Sequence, residues 1–200
     1  MEAKIVYFED VKAENTEAVF ELTQERLNAG GINKVVLAST TGATALKAID
    51  FFEGSGVKLI VVPHQYDFVR EVNPFPPDIV KRVKASGHEV HFGTMLFHTE
   101  GLYESNAPIL MANLLRCFSQ GTKVCFEMVM MVTDAGYLTK GEKVIAVAGT
   151  GRGADTALVM QASSSRNLKK LRVNEILCKP LNPWNTEETR EKVSYLNVKS

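Results

Sequence analysis

The sequence has no excess of charge, few cysteines, one tryptophan and no long apolar run, and these shortages exclude whole classes of protein. Lys+Arg and Asp+Glu both number 23 in 200 residues, so the formal net charge is zero. A chain built to grip nucleic-acid phosphates carries a basic excess or a basic stripe. Neither is present, so no nucleic-acid partner is expected. Cys117, Cys125 and Cys178 are odd in number and lack CxxC spacing, which argues against a zinc site or a disulfide framework. The opening MEAKIVYF enters a strand-like run without the basic and long apolar segments of a signal peptide. The longest apolar-rich stretch, 124–132, is broken by Glu127 and is too short to cross a bilayer. No membrane association is expected, and a reducing cytoplasm is the expected location.

What is present is an alternation of strands and helices. Residues 4–8 read as a strand, and Asn15 or Thr16 can cap a helix with its apolar stripe on Val19, Phe20, Leu22 and Leu27. That helix stops at Gly30-Gly31. A strand over 34–39 leads through a hydroxyl-rich turn into a helix burying Ala45, Leu46, Ala48, Ile49 and Phe52. The apolar run 57–63 suits a strand covered on both faces. A loop over 64–75 precedes a short helix opened by Pro77 or Asp78, then a strand over 88–92 and a loop over 93–105. Helices are expected over 106–119 and 122–135, split by Gly121, with a buried strand over 143–149 behind them. Strands over 156–162 and 171–179 flank the polar SSSRNLKK, and the polar tail carries Trp184. The alternation predicts a three-layer α/β/α sandwich in one domain over 1–200, its sheet mostly parallel with an antiparallel edge near the C-terminus.

In such sheets ligands sit beyond the carboxyl ends of the strands. There the sequence places Ser39, Thr40, Thr41 and Thr44 around Gly42 and Ala43, four hydroxyls at the start of a helix. Free amides and the positive end of a helix dipole make that turn a seat for phosphate. A second turn, Gly149-Thr150-Gly151-Arg152-Gly153-Ala154, formally fits GxGxxG/A, and Glu175 lies near the spacing of a ribose-binding acid. The polar stretch between them reads poorly as the single helix that a dinucleotide fold requires. The preferred reading brings Arg152 and the glycine amides to a ligand held by the first turn, with Asp155 and Thr156 as orienting groups. His64 and Gln65, directly after a buried strand, belong to the same edge. Tyr66, Phe68, Phe92 and Phe97 are candidates to wall an apolar pocket, although core packing suits each of them too. His88, His91, His98 and Glu100 form no HxxxH or HExxH pattern, so no metal site is expected.

Two segments carry a family resemblance. VVLASTTGATALKAI is similar to the strand–turn–helix of the C-terminal domain of pyruvate kinase, where such a turn holds the phosphate of an allosteric sugar phosphate. GTKVCFEMVMMVTDAGYLTKGEKVIAVAGTGRGADTALVM resembles the later part of that domain. The resemblance implies a bound phosphorylated ligand, with FMN as the cofactor. It also implies a homo-oligomer, because such domains often assemble. The family's catalytic barrel and metal-binding carboxylates have no counterpart in these 200 residues, so kinase activity is not implied. Flavin-dependent oxidoreductase chemistry is one expectation. A sensing module for a sugar phosphate or nucleotide, without catalysis, is the other.

Overall fold

The computed structural model describes residues 3–68 and 71–182; Trp184 and the rest of the tail lie outside them. Among the described residues seven strands form one sheet: β1 (Val6–Asp10), β2 (Lys34–Ala38), β3 (Lys58–Val62), β4 (Glu89–Val90), β5 (Lys143–Ala148), β6 (Thr156–Gln161) and β7 (Arg172–Asn182). Their spatial order is β1-β7-β6-β5-β2-β3-β4. β6 runs antiparallel to both neighbours, and the other pairings are parallel. The antiparallel pairs lie on the side expected, with β1 outside them as the edge strand proper.

Helices α1 (Asn15–Asn28), α2 (Ala43–Phe51) and α3 (Pro77–Ala85) cover one face, and α5 (Ala107–Arg116) and α6 (Gln120–Asp134) cover the other. A four-residue helix, α4 (Glu100–Tyr103), precedes α5. Side chains alternate across a strand, so one strand feeds both cores. Val35 and Leu37 of β2 pack with Val19, Phe20, Ala45 and Ile49, whereas Val36 packs with Met128, Val129 and Val132. Methionine's unbranched chain suits the second layer, where Met128, Met130 and Met131 fill the space between α6 and the sheet. The fold is a three-layer α/β/α sandwich.

Several local expectations need correction. Gly121 does not split the two late helices; the break falls at 117–119, where the Ser119 hydroxyl caps α6 by accepting from the Thr122 amide at 2.8 Å. Gly121 lies inside the first turn of α6, and a side chain there would run into Thr156 and Asp155. Neither Asn15 nor Thr16 caps α1. The Asn15 side chain donates to the Asp10 carbonyl, and the Thr16 hydroxyl donates to Ala13 while accepting from the Ala154 amide. Leu46 is only half-buried, the fourth strand shrinks to two residues, and SSSRNLKK contains a 3₁₀ turn over Ser165–Lys170.

Candidate functional site

From β2 the chain moves outward through β3 and β4, whereas from β5 it moves the other way through β6. The carboxyl ends of β2 and β5 therefore flank a topological switch point, the usual ligand crevice of open α/β sheets. Leu37 pairs with Val147 in register, so the turns after Ala38 and Ala148 start side by side. Ala38 also pairs with Val62, which brings in His64 and Gln65.

The first turn is built around Gly42, at φ +89, where an L side chain is strained and would collide with Ile79. Ser39, buried, accepts from the Ala45 amide at 3.2 Å, and the Gly42 carbonyl accepts from Leu46. The amides of Gly42, Ala43 and Thr44 have no hydrogen-bond partner among the described residues. Thr41 and Ala43 are exposed and Thr44 is buried. The Thr40 hydroxyl shares a hydrogen bond with His64 Nε2 at 3.3 Å.

Gln65 is used within the protein: its Oε1 accepts from the Met95 amide at 2.7 Å, tying the loop after β3 to the loop after β4. Asn73 donates to the carbonyls of His64 and Gln65 and anchors the same loop. Beyond it opens a cleft of about 340 Å³ lined by Gln65, Tyr66, Phe92, Gly93 and Thr94. Tyr66 and Phe92, with ring centroids 5.0 Å apart, are the aromatic walls of this cleft. Phe97 is instead buried in the second core, and Phe68 lies edge-on to both His64 and His98.

The second turn closes on itself. Gly149 and Gly153 fold back against each other, and Gly153 packs on Ala13 and Thr16. Asp155 lies inside, accepting from the Thr150 amide at 2.8 Å and the Thr156 hydroxyl at 2.6 Å. Thr156 also bonds Ser119. Burial pushes the Asp155 pKa up, and the bonds from Thr156 and Thr150 offset part of the rise. Asp155 and Thr156 are thus consumed in positioning this turn against α6, rather than left to orient a ligand. Gly151 and Arg152 are exposed at the tip. The dinucleotide reading fails on geometry. The turn leads into strand β6 rather than a helix, and Glu175 forms an ion pair with Arg26 of α1 at 2.8 Å.

Composition and spacing did not single out a third group, placed beside the first turn. Lys123 and Glu127 of α6 are almost fully buried and meet at 2.5 Å. Lys123 Nζ also meets His98 Nε2 at 2.9 Å, and Glu127 accepts from the Phe97 amide at 2.7 Å. Burial pulls the Lys123 pKa down, against the opposing pull of Glu127. Burial lowers His98 to about 3, helped by Lys123, Arg116 and His64. His64 is lowered as well, by burial and then by Lys123. The available signal was a Lys and a Glu four apart within the apolar run of α6, on a face that should have been uncharged.

Among the described residues no cluster of three or more His, Cys, Asp or Glu is placed to hold a metal ion, and no helix is long and apolar enough to cross a membrane. No protein-family model matches the chain. Over 75% of its length the structure is similar to part of a pyruvate kinase from Cryptosporidium parvum, at 12% identity and a TM-score of 0.35. The match spans 21% of that enzyme's chain. Nothing about activity follows from a likeness at that distance.

Proposed function

We propose that this protein binds a phosphorylated ligand, with FMN as the best candidate, its phosphate on the 39–44 turn and its flat ring toward the loop after β4, which carries both Phe92 and His98. The observation that carries this reading is the set of unpaired amides at Gly42, Ala43 and Thr44, beside the hydroxyls of Thr40 and Thr41. A phosphate accepts several such donors at once, and bonds to a charged acceptor contribute about 1.5–3 kcal/mol each. The first turn of α2 holds no acidic residue that would repel the anion. The N-terminus of α6, at the same edge, is different: the carboxylate of Asp155 lies against Gly121 there. One helix end is capped by Ser119 and packed by Thr156 and Asp155, and the other is open.

Gly149, Thr150, Gly151, Arg152 and Gly153 form the far wall of the crevice in this reading, with Gly151 and Arg152 exposed at its tip. The flavin itself would supply redox chemistry, and the protein's share is to bind and orient it. The test is spectroscopic. Purified protein should carry, or take up from added FMN, the visible absorbance of an oxidised flavin with quenched fluorescence. A colourless protein that ignores FMN but is stabilised by a sugar phosphate would replace this reading with the sensing one.

A further inference from the structure

We propose that His98 is a specificity residue of this pocket: the buried Lys123–Glu127 pair fixes its ring with the proton on Nδ1, offered as a donor to an uncharged oxygen or nitrogen acceptor on the ligand's heterocycle. The proposal rests on the reading that the pocket holds a phosphorylated heterocycle. The argument begins at Lys123, which is 1% exposed. Its contact of 2.5 Å with Glu127 Oε2, shut away from water, is a charge-assisted bond between ions. An ammonium has donors and no acceptor. The imidazole nitrogen it meets at 2.9 Å, His98 Nε2, must therefore accept, which leaves the proton of the neutral ring on Nδ1.

The other oxygen of Glu127 holds the Phe97 amide, so one carboxylate fixes both the lysine and the backbone that carries His98. Nδ1 makes no hydrogen bond among the described residues, and the ring is half-buried. It stands edge-on to Phe68 at 4.8 Å, Phe68 edge-on to His64 at 5.1 Å, and His64 bonds Thr40. A continuous line of side chains thus joins the phosphate turn to His98. The titratable and charged groups around the ring are Lys123 and Glu127 from α6, Arg116 from α5 and His64 from the end of β3. Glu100 of α4 bears on the same lysine.

Two-bond proton–nitrogen correlation spectra of ¹⁵N-labelled protein test this, with His98→Gln to assign the ring. Expected is a neutral His98 protonated on Nδ1 across about pH 5 to 8, whose Nδ1 signal shifts when FMN binds. Lys123→Met should take the donor from Nε2, so that the neutral ring no longer keeps its proton on Nδ1 alone, and should raise the His98 pKa while burial still holds it below the ordinary histidine range. If that variant fails to fold because Glu127 is left alone, Lys123→Met with Glu127→Gln removes both charges and should give the same result. His98→Gln should weaken FMN about tenfold with inorganic phosphate affinity unchanged. A proton on Nε2, or ordinary titration in the wild-type protein, overturns the proposal. FMN binding that leaves His98 Nδ1 unmoved overturns the ligand role while the phosphate seat stands. Binding of neither FMN nor phosphate removes both readings.

Discussion

At Gly42 a single residue meets two demands: the backbone is left-handed at φ +89, and Ile79 occupies the space where a side chain would go. Gly42→Ala should therefore cost about 1–2 kcal/mol of stability from backbone strain alone, read as a shift in the urea midpoint. The same geometry makes Gly42→Asp a poor probe of binding, because loss of fold and loss of ligand would coincide. Ala43 is the better position, being exposed at the first helical residue with an unpaired amide. A carboxylate there favours the helix dipole by about 0.3–1 kcal/mol while placing a negative charge where the phosphate belongs. Thr41→Ala, removing one exposed hydroxyl, should weaken phosphate-ligand binding by about 1–3 kcal/mol by calorimetry if that hydroxyl donates to the anion.

Among the elements, α1 is clamped to β7 by Arg26, whose Nε and Nη2 reach both oxygens of Glu175. The hydrogen bond from Arg26 holds the Glu175 carboxyl below its ordinary range. A depressed carboxylate adds stability above its unfolded pKa and loses it as pH falls through the folded value. Arg26→Gln should thus cost about 1 kcal/mol near neutral pH, and the difference should fade in acid, as denaturation at the two pH values would show. At the start of α6, Ser119→Ala should cost about 1 kcal/mol by loss of the cap, with the local bonds to Thr122 and Thr156 lost as well. These elements also show what a sequence can reveal. Periodicity marked α1, α2 and the central strands because their burial repeats at regular intervals. The start of α6 was misplaced because Gly121 marks a close packing contact there, and glycine looks the same in either role. The clamp on β7 escaped notice for a different reason: Arg26 and Glu175 lie 149 residues apart, and no local pattern connects them.

For the whole molecule, the α/β alternation was legible and the strand order was not, since β1 pairs with β7, more than 160 residues further along the chain. The hydroxyl-rich turn could be located from its residues alone, whereas the Lys123–His98 contact needed the fold to bring α6 over the loop after β4. All four histidines have pKa values lowered first by burial. In the unfolded chain they titrate near 6.5, so as pH falls below that value the unfolded state binds more protons than the folded one. Stability should decline progressively from neutral pH toward pH 5, and His98→Gln should flatten that slope in urea midpoints. A pH-independent midpoint over this range would contradict the burial of these rings.

The central claim is that the open N-terminus of α2 holds the ligand's phosphate, and one calorimetric comparison tests it most directly. FMN titrated into the wild-type protein should bind, and Ala43→Asp should lose at least about tenfold in affinity while unfolding no earlier on heating. Equal affinities for the two proteins, both folded, would contradict the account.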